Sequence, residues 1–166
     1  KHFMQMSSGV SYHDDARLHG QLANLFYGDD IKNLVDSLHS EIPPAARFEY
    51  KNIDPQVLTL MLREIIGMPV AEYASQKLWS KIGAENDAHW TIDKKENGDE
   101  RSYCCMNTTS SDLVRIGLLY SHFGNWKGEQ IVDTAYVKQT IVPHGNLNKK
   151  GNPTDNYGLL WWARNV

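Results

Sequence analysis

The chain has 166 residues, of which 41% are hydrophobic and 22% charged, with a formal net charge of -3. That is ordinary globular usage for one domain with a real core, and it argues against disorder. A pI near 6.2 leaves no basic footprint for nucleic acid, and no apolar run approaches the roughly 18 residues that span a bilayer. The sequence opens at Lys1 with neither a signal peptide nor an initiator Met, so the expectation is an excised piece whose targeting segment lies elsewhere.

In chain order, Asp29-Asp30 open a helix whose apolar residues Ile31, Leu34, Val35 and Leu38 fall at i, i+3, i+4 and i+7. The acidic pair suits the positive end of the helix dipole. A proline-broken connection follows, "SEIPPAARFEY". "IDPQVLTLMLREIIG" then predicts a helix with Asp54 as N-cap, Pro55 in its first position and Gly67 just past its end. Its wide apolar face, from Val57 to Ile66, predicts deep burial. The next helix is expected from Pro69 to about Ile82, stopped by Gly83.

"DAHWTID" and "RSYCCMN" flank a charged turn with Asn97-Gly98 and predict a β-hairpin. Cys104 and Cys105 are neighbours. On an extended chain their side chains face opposite ways, so two half-buried strand residues without a mutual disulfide are expected. Ser110 or Ser111 caps a helix carrying Leu113, Ile116, Leu119 and Tyr120. "NWKGEQIV" predicts a tight turn, Thr134 to about Ile141 a short helix, and Gly145 to Asn156 a polar loop. "YGLLWWA" predicts a strand from Tyr157 to Ala163. Trp161 and Trp162 would lie on its opposite faces, where they could line a binding cleft, although core packing is the favoured reading for at least one of them. So apolar a strand needs a sheet to join, yet few strands precede it, which suggests that the chain is cut short.

These pieces, in this order, resemble the serine β-lactamase and penicillin-binding-protein superfamily, and within it the class C-like serine hydrolases. That group includes esterases, D-amino-acid peptidases and 6-aminohexanoate-oligomer hydrolases. The resemblance is carried by "FMQMSSGV" (3–10), "PPAARFEYKN" (43–52), "EYASQKLWSKIGAENDAHW" (72–90), "SSDLVRIGLLY" (110–120) and "NYGLLWW" (156–162). It implies an α+β fold that is mostly α in this chain: the helix-rich lobe of the β-lactamase/transpeptidase-like fold, with a β-hairpin and a C-terminal strand. Residues 1–166 would form a single partial domain, without the N-terminal Ser-x-x-Lys region or the C-terminal sheet strands. No cofactor is implied, and a periplasmic or secreted bacterial setting is favoured. The implied partner is a small-molecule amide or ester.

Tyr50-Lys51-Asn52 resembles the family's Tyr-x-Asn element. There the tyrosine exchanges a proton with a nucleophilic serine and the leaving group, and the asparagine holds a lysine or the substrate amide. A serine hydroxyl is a weak nucleophile until a base takes its proton. Free tyrosine titrates near 10, so it acts as a base only where cations stabilise the phenolate. Tyr50 and Asn52 are therefore the candidate catalytic residues. If the segment is extended, they share one face and Lys51 points away.

Much of the machine is missing. No serine has a lysine three positions later. Thr91 and Lys94 have that spacing but fall in a predicted strand. Lys149-Lys150-Gly151 matches a third family element only by chance, since it precedes "YGLLWW" in a polar loop. Pro44-Ala45-Ala46 stands where the family often has Pro-Gly-Thr. Without nucleophile, lysine and oxyanion hole, acyl transfer by this chain alone is not expected, because that hole is often worth several kcal/mol. A catalytically dead binding domain and a stand-alone helical adaptor are the competing readings. Seven histidines invite a metal, but His13, Asp14, Asp15 and His19 lack His-x-x-x-His or His-Glu-x-x-His spacing and predict a solvated loop. Ser7-Ser8-Gly9 lacks the G-x-S-x-G elbow of a nucleophile and is expected to end a helix.

Overall fold

The computed structural model describes residues 1–15 and 17–163. The architecture is helix-rich, with two small two-stranded sheets. Helices α1 (Gln21–Tyr27), α2 (Ile31–Asp36) and α3 (Ile53–Ile66) surround the main core of Tyr12, Leu25, Ile31, Ile53 and Val57. Asp30 caps α2 as its acidic character predicts, accepting a hydrogen bond from the Asn33 N–H at 2.9 Å.

Helix α3 departs from expectation at both ends of its apolar face. Asn52 occupies the N-cap position and Asp54 lies inside the first turn, fully buried. Asp54 does not cap because its carboxylate is engaged elsewhere, by Ser8. Pro55 is tolerated there because the first turn needs no N–H donor from it. Gly67 closes the helix in the left-handed conformation, φ 67°, as its position predicts. Burial is confined to the N-terminal half: Met61 and Ile65 face solvent, Ile65 at 79% exposure. Leu62 and Ile66 on the same half are only partly buried.

Helix α4 (Val70–Ala74) runs on into a π-helical turn, Ser75–Trp79. The predicted hairpin is present but short: β1 (His89–Trp90) pairs antiparallel with β2 (Met106–Asn107), and Ile92 bridges Glu100 nearer the turn. Buried Gln56 of α3 holds it by donating to Glu100 O (2.9 Å) and accepting from the Ser102 N–H (3.1 Å). The cysteine expectation fails here. Cys104 and Cys105 precede β2 in a turn, with Cys105 at φ 69°, and are bonded to each other. The turn removes the opposite-facing geometry that an extended chain would impose.

Helix α5 (Ser110–Ser121) starts one residue earlier than expected, with Thr109 as cap. β3 (Asn125–Trp126) and β4 (Glu129–Gln130) pair across Lys127-Gly128, both at positive φ, the turn that suits the twist of a two-residue hairpin. Helix α6 (Thr134–Thr140) follows, then the polar loop.

The predicted C-terminal strand takes another form. Tyr157 to Ala163 folds back on itself, with one bridge between Tyr157 and Trp162 and Leu160 at φ 59°. No neighbouring strand is available among the described residues, so the segment pairs internally, the Gly158 N–H donating to Trp161 O at 2.8 Å. It docks through Leu159 N–H to Thr140 O and Leu160 N–H to Met4 O. No described helix is long and apolar enough to cross a membrane.

Candidate active-site segment

Tyr50 sits on the lead-in to α3, where the chain leaves the Pro43 turn and runs without regular secondary structure from Arg47 to Tyr50. The turn holds Ala45 at φ 67°. That is a left-handed conformation glycine adopts freely, which gives the family's Pro-Gly-Thr pattern a physical reason.

The alternation expected of the segment holds through Lys51 and ends there. Tyr50 is 45% exposed, while Lys51 points inward at 3% exposure. Asn52 already has helical backbone, φ -62° and ψ -24°, so it is not a second strand residue facing with Tyr50. Its N–H donates to Asp14 Oδ2 at 3.1 Å, and its side chain makes no capping bond. Tyr50 and Asn52 thus stand two residues apart on one exposed lead-in, without a hydrogen bond between their side chains.

Aromatic packing sets the position of the Tyr50 ring. It stacks on Trp162 at 5.6 Å between centroids and meets Tyr157 edge-on at 6.0 Å. Trp162 is itself 57% exposed, and Trp161 turns the other way to pack on Tyr120 at 4.3 Å. The two tryptophans thus point opposite ways, Trp161 partly buried and Trp162 exposed. Tyr157 is buried, and desolvation, with Tyr50 and the Asp54 carboxylate nearby, pushes its phenol well above the usual range. It is suited to packing rather than to proton transfer. None of the described hydrogen bonds engages Tyr50 Oη.

Positive charge in this neighbourhood is already spoken for. Glu49 gathers Arg47 (3.0 Å), Lys51 (3.6 Å) and Lys149 around one carboxylate. Burial of Glu49 opposes ionisation, but these cations, with Lys149 first, hold its carboxyl below the ordinary value. Lys149 therefore works as a strap from the polar loop to the Tyr50 segment. It does not furnish a lysine to Tyr50. Ser8 is likewise no free nucleophile, since its Oγ donates to Asp54 Oδ1 at 2.7 Å in a buried setting. The turn Ser7-Ser8-Gly9 ends a run of turns rather than a helix.

The acidic and histidine cluster near the N-terminus has structural partners: His13 Nε2 lies 3.9 Å from Glu41, Asp15 pairs with Arg17, and Asp14 serves Asn52. Sequence reasoning missed Asp54 and Ser8 as a buried pair behind the candidate site. The signal was there in part, as an aspartate one turn after Tyr-x-Asn, but its pattern matched a helix cap more simply.

No family model matches the chain. Among curated proteins it is 25% identical over 122 residues to a 6-aminohexanoate-dimer hydrolase of Paenarthrobacter ureafaciens, covering 70% of this chain and 31% of that protein. An uncharacterized protein of Alkalihalophilus pseudofirmus is 23% identical over 155 residues, covering 82% of this chain and 45% of that protein. Among solved structures, a Bacillus anthracis protein provisionally named a 6-aminohexanoate-dimer hydrolase superposes with TM-score 0.79 at 26% identity, over 97% of this chain and 46% of the other. A Bacteroides dorei protein provisionally named a β-lactamase gives TM-score 0.72 at 18% identity, over 97% of this chain and 51% of the other. A penicillin-binding protein of Bacillus halodurans gives 0.66 at 17%, over 97% and 56%. The chain therefore spans from a little under a third to a little over half of the proteins it matches. Its fold is that of the helix-rich part of β-lactamase and penicillin-binding-protein structures.

Proposed function

We propose that this chain is the helix-rich lobe of a serine hydrolase that cleaves amide or ester bonds through an acyl-enzyme, with Tyr50 as its proton-relay group. The observation that carries this reading is the half-exposed Tyr50, its hydroxyl engaged by none of the described hydrogen bonds, on a segment that resembles the family's Tyr-x-Asn element. The likeness to 6-aminohexanoate-dimer hydrolases in both sequence and structure supports a linear amide as the substrate class.

In this reading the nucleophilic serine and its lysine come from outside these 166 residues. The serine oxygen attacks the carbonyl carbon as its proton passes to the Tyr50 oxygen. Tyr50 then returns that proton to the departing nitrogen or oxygen as the carbonyl–leaving-group bond breaks. Water repeats the sequence on the acyl-enzyme. Asn52, beside Tyr50, would hold the lysine or the substrate amide. The stacked Trp162 fixes the phenol ring without consuming its hydroxyl.

A fluorophosphonate probe on the full-length protein tests the proposal. Labelling is expected at a serine followed three residues later by lysine. Absence of labelling, with ligand binding intact, would instead support the competing reading of a catalytically silent binding domain.

A further inference from the structure

The segment Met6–Val10 runs beneath the Tyr50 segment and is joined to it on both sides of the tyrosine. Met6 O accepts from the Glu49 N–H at 2.8 Å. Val10 O accepts from Lys51 Nζ at 2.6 Å. Ser8 Oγ donates to Asp54 Oδ1 at 2.7 Å. Positions 6, 10 and 8 thus bind positions 49, 51 and 54, which bracket Tyr50. All of Met6, Ser8, Lys51 and Asp54 are buried. The turn that makes this possible needs Gly9: its φ is 76°, and a Cβ there would press into the carbonyl oxygen of Ile42.

Asp54 is the anomalous member. Its side chain is fully buried, and its second oxygen, Oδ2, has no hydrogen-bond partner among the described residues. A buried carboxylate with one unmatched oxygen is costly, so fold stability alone gives no reason for an aspartate here. We infer that Asp54 is a positioning residue for Tyr50: through Ser8 it locks the Met6–Val10 turn against the Tyr50–Asn52 lead-in and so fixes the place of the phenol. The inference rests on the reading of Tyr50 as the proton-relay group.

The groups that face the Asp54 carboxyl are Ser8 and Lys51, which favour its ionised form, and Asp14, which opposes it, with the Tyr157 phenol also near. Burial outweighs the favourable pair and pushes the carboxyl up to about 7. Loss of its proton above that pH places a charge behind the aromatic cluster and changes the lock. The position of Tyr50 should therefore respond to pH in the neutral range.

Nuclear magnetic resonance on the chain labelled with ¹³C at the tyrosine Cζ reads this directly. Tyr50 is assigned among the eight tyrosines by the signal lost in Tyr50→Phe. Expected is a step in the Tyr50 signal with a midpoint near neutrality, absent in Asp54→Asn, and a displaced Tyr50 signal in Ser8→Ala at all pH values. A purely structural carboxyl would lower the melting temperature of these variants and leave the Tyr50 signal of the folded molecules unmoved, which would overturn the inference. Should Asp54→Asn not fold, the parent titration and Ser8→Ala decide alone: no step and no displacement also overturn it. In the full-length hydrolase, Asp54→Asn should lower kcat by about 10- to 100-fold with KM little changed, the scale expected of small misplacements of a reacting group. The two readings fail separately. Retained hydrolysis in Tyr50→Phe removes the catalytic role of Tyr50, whereas the resonance experiment tests the lock without any activity.

Discussion

Tyr50 and Lys51 are adjacent yet act on different quantities. In the full-length protein Tyr50→Phe should depress kcat with little change in KM, because in the proposed role the hydroxyl moves a proton only while bonds form and break. General acid–base groups supply about 10²–10⁴-fold, or roughly 3–5 kcal/mol. Steady-state kinetics with a nitrophenyl ester check it, and near-parental kcat would refute the assignment. Lys51→Ala acts on stability instead, since the buried ammonium is bonded to Val10 O. Loss of a bond of this charged kind should cost about 1.5–3 kcal/mol in a denaturant titration. Alternation along the segment predicted that Lys51 points away from Tyr50. It could not predict that the far side is protein interior. Asp54 adds a pH dependence. Its carboxyl titrates near 7 in the fold against 3.8 ordinarily, so the native state holds a proton the unfolded chain has released. Stability should fall as pH rises from about 4 to about 7, by at most about 4 kcal/mol at about 1.4 kcal/mol per pH unit. Asp54→Asn should flatten that slope in thermal melts across this range.

The elements readable in the sequence are those whose signals are local. Asp30 as a cap, Gly67 as a stop and the Lys127-Gly128 turn follow from dihedral preference and dipole, and all three hold. What failed depends on partners distant in sequence: Asp54 is drawn off its capping role by Ser8, and Tyr157–Ala163 folds on itself for want of a sheet. The Pro43 turn shows the boundary between the two kinds of signal. The sequence places a turn there, but only the structure shows that Ala45 must adopt φ 67°. A non-glycine residue in that conformation costs about 1–2 kcal/mol, partly offset by the greater freedom glycine has when unfolded. Ala45→Gly should therefore raise the chain's stability by up to about 1 kcal/mol, measured as a higher denaturation midpoint at unchanged m-value. A lower midpoint would show that the turn is held without strain. The candidate site was legible in the same partial way. Tyr50 and Asn52 are candidates through resemblance to the family's Tyr-x-Asn element, whereas Ser8, Asp54 and the stacking of Trp162 depend on tertiary contacts.

Taken as a whole, the molecule presents a finished scaffold around an unfinished site. The Tyr50 lead-in is fixed from below by the Met6–Val10 turn and from the side by Trp162 and Tyr157. Yet the cations nearby are committed to Glu49, and the buried Ser8 is committed to Asp54. A tyrosine needs a cation to serve as a base near neutral pH, and none of the described ion pairs or hydrogen bonds brings one to its hydroxyl. In the remaining half of helix α3, Met61 and Ile65 are turned to solvent, as the proposed reading of a partial domain expects. The expected outcome is that the 166-residue chain, purified alone, hydrolyses neither nitrophenyl esters nor nitrocefin above the buffer rate. Activity should return when the chain is joined to, or mixed with, the segment that carries Ser-x-x-Lys, since the missing terms are a nucleophile and an oxyanion hole whose single donors are worth about 2.7–4 kcal/mol. Turnover by the isolated chain that a serine-directed inhibitor abolishes would place the nucleophile within these residues. Ser8 would then have to leave Asp54 to reach a substrate, and Ser8→Ala would distinguish that case from a contaminating hydrolase.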